Sequence, residues 1–410
     1  MDREEHARED GLSTLAVANY RSLRELIAPL GGLNVVCGPN GSGKSNLYRA
    51  LRLLAAAASD GPVAPLAREG GLSSVLWAGP ETVGARMRRG EVPVQGQPRQ
   101  HVVRLRLGFG GEDFGYAIGL GLPESTPQVV LADGSRRTSH FGRDPLIKHE
   151  CIWAGPAWRP ASTLLERRGP MVRVRRGREW HVVTQHMSGF DSVLTHLADP
   201  DQAPEVLTLR ERMRAWRFYD HLRTDADAPA RQPQVGTRTT ALDDEGRHLA
   251  AALETIREIG DVAALDDAID YAFPGAAVDV QASEAGWLSV RLNQPGLLRP
   301  LDASELSDGT LRYLLLVAAL LTPRPPPLMV LNEPETSLHP DLLPALARLI
   351  TTASARTQVW VVSHASRLIA ALEAAPHCQT LQLERELGET AVCGQSMLDQ
   401  PTWRWPEGRK

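Results

Sequence analysis

The stretch from Val35 to Ala50, VVCGPNGSGKSNLYRA, limits what this chain can fold into more than any other. An apolar run, Leu33 to Cys37, reads as a buried strand. It passes into Gly38-Pro39-Asn40-Gly41-Ser42-Gly43-Lys44-Ser45 and then into a helical pattern. That is the G-x-x-x-x-G-K-[ST] phosphate loop. Its glycines let the backbone curl until successive N–H groups point inward at phosphate oxygens. The helix that follows adds the positive end of its dipole. In such a loop Lys44 reaches the β- and γ-phosphates and the Ser45 hydroxyl ligates Mg²⁺. The loop predicts an α/β unit that holds the phosphates of a nucleotide together with Mg²⁺.

A chain of 410 residues has room for two or three folded units. With 42% hydrophobic and 23% charged residues it has a globular composition. A net charge of −4 supplies no global attraction to nucleic acid, so any such contact has to come from a local patch. Only Lys44, Lys148 and Lys410 are lysines, the other basic residues being arginines, which sets Lys44 apart. Cys37, Cys151, Cys378 and Cys393 show no C-x-x-C spacing, which suits a reduced, cytoplasmic protein without a zinc site. The longest apolar run, Tyr313 to Leu321, is too short to cross a bilayer, so no membrane partner is expected. Residues 1–11 are charged, lack the apolar core of a secretion signal, and read as a disordered lead-in.

Along the chain, Leu15 to Ala18 reads as a strand, and Leu47, Ala50, Leu51 and Leu54 give the helix after Lys44 one apolar face. Val102 to Phe109 and Phe114 to Leu122 read as strands joined at Gly110-Gly111, and Met171 to Val183 as a hairpin around Arg176-Gly177. Pro204 to Tyr219 and Asp243 to Ile259 read as helices, the second ended by Gly260. Pro229 to Thr240 is a connector between them. Val278 to Val280 and Trp287 to Leu292 read as strands. An apolar helix follows Leu306-Ser307-Asp308-Gly309-Thr310 and is stopped by Pro323 and Pro325 to Pro327. Leu328 to Leu331 reads as a buried strand ending at Asn332-Glu333-Pro334-Glu335, and Val359 to Val362 as another ending at Ser363-His364. Strands alternating with helices predict a mainly parallel sheet. Without sustained heptads, no long coiled coil is expected.

Phosphate loop, LSDGT at 306–310, N-E-P-E at 332–335 and S-H at 363–364 stand in one order. Together with Asn19-Tyr-Arg-Ser-Leu23, G-P-N-G-S-G-K-S-N at 38–46, S-D-G-T-L-R at 307–312 and E-P-E-T-S-L-H-P at 333–340, they resemble the nucleotide-binding head of ABC-type ATPases, in the RecF- and SMC-like branch of AAA-family ATPases. The resemblance covers roughly residues 12–55 and 300–370. It implies a P-loop NTPase fold of ABC-head type: a mainly parallel sheet plus an antiparallel β portion, with an α/β insertion. The head would comprise residues 12–145 and 276–400, the insertion 146–275 and the tail 401–410.

The resemblance also implies roles. Residues 38–46 would hold the nucleotide, with Lys44 acting on its phosphates. Ser307, Asp308 and Gly309 would face the phosphate loop of a second protomer, so that ATP closes a homodimer. Glu333 would polarise the attacking water and His364 would contact the γ-phosphate. Ser45 and residue 332 would hold Mg²⁺; the family usually has an acidic residue at the latter position. Here it is Asn332, which keeps an acceptor oxygen without charge and implies slow turnover. Arg21 reads either as a nucleotide neighbour or as a surface arginine, and Ser337 and His339 as residues where protomers meet. A glutamine that senses the γ-phosphate is expected among Gln95, Gln97, Gln100 and Gln128.

Arg159, Arg167, Arg168, Arg173, Arg175, Arg176 and Arg178, with Trp153, Trp158 and Trp180 near the ends, have the texture of a DNA-contacting surface or of a solvated hairpin. Trp216 to Asp225 is dense in polar and aromatic groups without metal spacing. One reading is therefore a cytoplasmic ATPase of DNA repair, recombination or defence against foreign DNA, working with a separate nuclease or other effector. The other is an ATP-switched interaction module that licenses an effector with little turnover. The long interval between Lys44 and Ser307 argues against the motor of a membrane transporter.

Overall fold

The computed structural model describes residues 11–81, 84–89, 91, 102–124, 128–130, 135–197, 199–220, 222–396 and 399–406. The lead-in at 1–10 and the last residues of the tail lie outside them. The chain forms two units. One is built on Gly31–Cys37 and Ala215–Thr380, the other on Leu12–Leu30, Gly38–Arg214 and the chain from Leu381 onward. The boundaries expected at 146 and 275 do not coincide with this division: residues 146–214 belong to the second unit and 215–275 to the first.

In the first unit four parallel strands lie in the order Arg217–Tyr219, Leu328–Asn332, Gln358–Val362 and Leu33–Cys37. The last three are buried almost throughout, which is why they read as unbroken apolar runs rather than alternating ones. The register pairs Asn332 with Val362 and Val362 with Val36, so three strands finish side by side. Asn34, a polar residue in this core, is fully paired: its side chain bonds both the N–H and the C=O of Gly31 at 2.8 Å and pins the turn that starts its strand. The helix Asp308–Leu320 is buried from Leu311 to Leu320 and fills the middle of the unit. Leu249–Ile259, Val262–Ala272 and Leu343–Ser354 pack around it. A small antiparallel sheet carries Gln234–Val235, Trp287–Asn293, Ala277–Ala282 and Leu301–Asp302. The helix expected over 204–219 ends at Arg214, and Arg217–Tyr219 is instead the outer strand of the parallel sheet.

The second unit is an eight-stranded antiparallel sheet in the order Glu179–Thr184, Met171–Arg176, Thr163–Arg168, Leu146–Ala154, Phe114–Gly121, Leu105–Gly111, Leu12–Tyr20 and Leu23–Pro29. The hairpin read at Arg176-Gly177 is present, with Gly177 at φ +62°. The helix Lys44–Ala56 buries Leu47, Ala50, Leu51 and Leu54. Trp153, Trp403 and Trp405 stack edge to face over Ala16, Ala18 and Ala117. A hairpin of Cys378–Glu386 and Glu389–Val392, absent from the sequence reading, ends the described strands. Among the described residues the longest helices have 13 residues, and no helix is long and apolar enough to cross a membrane.

Glu150 and Arg167 form an ion pair at 2.9 Å in this unit, both side chains 0% exposed. The pair is sustained by further bonds: Tyr116 and Ser192 donate to Glu150 at 2.8 and 2.6 Å, while Arg167 donates to the carbonyls of Gly169 and Ser188. Removing one member strands the other charge. Arg167→Met is expected to cost about 3–5 kcal/mol of stability, read as a lowered urea midpoint at unchanged m-value.

Candidate nucleotide-binding site

In the phosphate loop Gly38, Gly41 and Gly43 all have positive φ, at +142°, +80° and +111°. A Cβ on Gly38 would sit 2.2 Å from the Leu383 carbonyl oxygen, so glycine is required there by space as well as by backbone angle. Lys44 opens the helix, and its Nζ donates to the carbonyls of Gly38 (2.6 Å) and Pro39 (3.1 Å), bent back over the loop. The helix start has no side-chain cap and no acidic residue in its first turn, so an anion placed there meets the unopposed positive end of the helix dipole. Ser42 is buried and its hydroxyl has no partner among the described residues. Among the described residues no side-chain hydrogen bond engages the Ser45 hydroxyl or the Asn332 amide. Both are neutral oxygen donors of the kind Mg²⁺ accepts. The curled backbone, the uncapped helix and the orphaned hydroxyl fit a phosphate chain.

In the other unit, Glu333 follows the end of its strand at φ +48°, its N–H bonded to the Val362 carbonyl at 2.8 Å. Its side chain is 47% exposed, and His364 beside it is 55% exposed, with Nδ1 3.7 Å from Glu333 and 3.4 Å from Glu335. Glu335 is 7% exposed and organises the turn. One of its oxygens accepts from the Ser363 hydroxyl at 2.6 Å, the His364 N–H at 3.1 Å and the Ala365 N–H at 3.3 Å. Arg312, buried on the central helix, donates to the Glu333 carbonyl at 3.2 Å. Burial pulls its guanidinium below the ordinary value, against the opposing charges of Glu335 and Glu333.

Ser307 caps the central helix, accepting from the Thr310 N–H at 3.2 Å. A Cβ on Gly309 would meet the Ser337 carbonyl oxygen at 2.8 Å. Ser307, Gly309, Thr310, Ser337 and His339 line a groove of about 620 Å³ at the surface of their unit. Asp308 is paired at 2.7 Å with Arg231.

The sequence matches, over residues 33–110 and 188–370, the family model described as "AAA domain, putative AbiEii toxin, Type IV TA system". The chain belongs to this AAA family. Its fold is that of an ABC-type ATPase head of the SMC- and RecF-like kind. The structure of the SmcHead bound to the C-winged helix domain of ScpA aligns with 95% of this chain and 99% of its own at 14% identity, TM-score 0.51. The SMC head domain from Thermotoga maritima aligns over 94% and 100% at 13% identity, TM-score 0.46. An Smc head with coiled coil and joint from Pyrococcus yayanosii aligns over 95% and 98% at 12% identity, TM-score 0.47. No curated protein matches the sequence.

Other residues of this AAA chain take places the sequence did not reveal. Arg21, at φ +50°, is held by Glu69 at 2.7 Å, and Glu69 also accepts from the Tyr20 hydroxyl at 2.8 Å. Gln95, Gln97 and Gln100 lie outside the described residues, as does the side chain of Gln128. Within the arginine-rich stretch, Arg168 and Arg173 both pair with Glu166, and Arg173 also stacks on Trp180. Burial alone would raise the Glu166 carboxyl, but bonds from His149, Arg168 and Arg173 hold it down at about 2. Among the described residues no group of three His, Cys, Asp or Glu could hold a metal.

Sequence reasoning missed Glu335 and Arg231. Arg231, in the supposed connector, is buried and donates to the carbonyls of Ala303 (3.1 Å), Leu306 (2.7 Å) and Thr224 (2.8 Å) as well as to Asp308. It fixes the chain that leads into LSDGT. An arginine next to the prolines of a connector was the available signal. Arg231→Met leaves these carbonyls unpaired and is expected to lower stability by about 3 kcal/mol, measured by urea denaturation.

Proposed function

We propose that this chain is an ATPase that binds ATP with Mg²⁺, hydrolyses it slowly and closes into a homodimer around it. The observation that carries the reading is the positive-φ glycine loop running from the parallel strand Leu33–Cys37 into a helix opened by Lys44. Binding sites of open α/β sheets lie at the carboxyl ends of their parallel strands. Residues 38–46 hold the phosphates, and Lys44 leaves its two carbonyls to pair with the β- and γ-oxygens. Ser45 and Asn332 are the residues to hold Mg²⁺, which when bound neutralises phosphate charge. Glu333 orients and polarises the attacking water, and His364 contacts the γ-phosphate and helps align that water. Ser307 and Gly309, lining a surface groove, serve the nucleotide of a second copy, with Asp308, Ser337 and His339 around the contact.

A second reading rests on Asn332. Without the acidic residue usual at that position, cation binding weakens and turnover slows, so the protein acts as a cytoplasmic ATP switch that licenses a separate effector. The wording of the family description, with its toxin and Type IV TA system, is in keeping with defence as the setting. The SMC head crystallised with a domain of ScpA makes a protein partner a natural expectation. DNA as partner belongs to the first reading; the pairing of Arg167, Arg168 and Arg173 with glutamates leaves less free positive charge for it.

Lys44→Ala is expected to abolish ATP binding in calorimetric titration, and unchanged binding would remove the site assignment. Glu333→Gln is expected to accumulate an ATP-dependent dimer by light scattering, since binding persists while the water is no longer activated. A strictly monomeric Glu333→Gln protein with ATP and Mg²⁺ would count against the dimer. Turnover across a panel of nucleic acids separates the readings, because only the first requires stimulation by DNA.

A further inference from the structure

The C-terminal hairpin of Cys378–Glu386 and Glu389–Val392 touches the phosphate loop at two points within one unit. The Leu383 carbonyl oxygen occupies the space a Cβ on Gly38 would need, and the Thr390 hydroxyl the space a Cβ on Gly43 would need, each at 2.2 Å. The second contact is polar. Thr390 is 1% exposed, and its Oγ1 lies 2.7 Å from the Ser42 carbonyl oxygen and 2.7 Å from the Ser22 hydroxyl. The Asn46 side-chain amide donates to that same Ser22 hydroxyl at 2.8 Å.

The direction of every proton in this chain follows from its ends. The Ser42 carbonyl can only accept, so the Thr390 hydroxyl proton goes to it. The Asn46 NH₂ can only donate, so Ser22 spends its own proton on Thr390. The relay therefore runs from Asn46 through Ser22 and Thr390 to the Ser42 carbonyl, starting in the first turn of the loop's helix and ending in the loop itself. Bonds aligned in one direction reinforce each other. The hairpin is fixed independently by the Thr390 N–H on the Ser22 carbonyl at 2.8 Å and by Glu389 on Arg24 at 2.9 Å.

The consequence lies in one peptide plane. A trans peptide carries its C=O and N–H in opposite directions. Holding the Ser42 carbonyl on Thr390 thus aims the Gly43 N–H the other way, and that N–H has no acceptor among the described residues. We propose that Thr390, with Ser22 and Asn46, is a positioning residue for nucleotide: its hydroxyl orients the Ser42–Gly43 peptide so that the Gly43 amide is presented to a phosphate oxygen. This rests on the reading of residues 38–46 as the ATP site. It adds that the cradle is completed by a side chain more than three hundred residues away in sequence.

Two substitutions separate hydroxyl from shape. Thr390→Val keeps the volume and loses the proton; Thr390→Ser keeps the proton and loses a methyl. In calorimetric titration of the full chain with ATP and Mg²⁺, Thr390→Val is expected to weaken binding about tenfold, while Thr390→Ser stays within about twofold of the natural protein. Ser22→Ala, one bond further back, is expected to weaken it about threefold. Wild-type affinity in Thr390→Val, or equal losses in the valine and serine variants, would overturn the proposal. Should Thr390→Val not fold, unchanged affinity in Ser22→Ala overturns it instead. If the natural protein binds no ATP at all, the ATP-site reading fails first and this proposal falls with it.

Discussion

Parallel pairing of Leu33–Cys37 with Gln358–Val362, and of Gln358–Val362 with Leu328–Asn332, is the constraint on which the first unit depends. Parallel neighbours must be joined by crossovers, so each strand's carboxyl end emerges on the same side. The register then decides which residue stands there. Because side chains alternate along a strand, a slip of one residue would turn each buried set toward the wrong face. The ladder is extended past the strands, with Glu333 N–H on Val362 and Ser363 N–H on Val36, so the two segments that carry Glu333 and His364 are held by backbone as well as by packing. The apolar faces that secure this register lie against helices such as Asp308–Leu320, which also begins at LSDGT.

Much of this was legible because the signals were local. The phosphate loop announces itself through glycine spacing, the buried strands through unbroken apolar runs, and the 171–184 hairpin through Arg176-Gly177 between alternating flanks. What escaped was set by distant partners. Trp216-Arg217-Phe218-Tyr219 continues a helical pattern, and only pairing with Met329–Leu331 makes it a strand. Cys378–Glu386 and Glu389–Val392 carry charged residues at positions an apolar-run reading ignores, and they become strands by pairing with each other. Glu335 looked like part of a motif and Arg231 like part of a connector, yet both are buried acceptors or donors whose partners lie far along the sequence.

The arginine-rich stretch teaches a related lesson about charge. Counted along the sequence, residues 159–178 are strongly basic. In the fold, Glu150 takes Arg167, and Glu166 takes both Arg168 and Arg173. Arg175 gives its protons to the carbonyls of Pro160 and Ala161. A sheet places residues from neighbouring strands side by side, so a run of one sign in sequence is diluted by carboxylates from the next strand. Surface potential depends on what is left after such pairing.

Asn332 bears on the balance of charge at the strand ends. Glu333 and Glu335 already bring two carboxylates within 3.7 Å of His364, and an acidic residue at 332 would bring a further negative charge to the same strand end. Glu335 is compensated by the Ser363 hydroxyl and two backbone amides, whereas the Glu333 side chain remains half exposed, with His364 Nδ1 3.7 Å away. A neutral amide at 332 keeps an oxygen for a cation while adding no repulsion toward a polyphosphate. The same neutrality leaves Glu333 as the exposed negative charge of this strand end, with Glu335 buried among its donors.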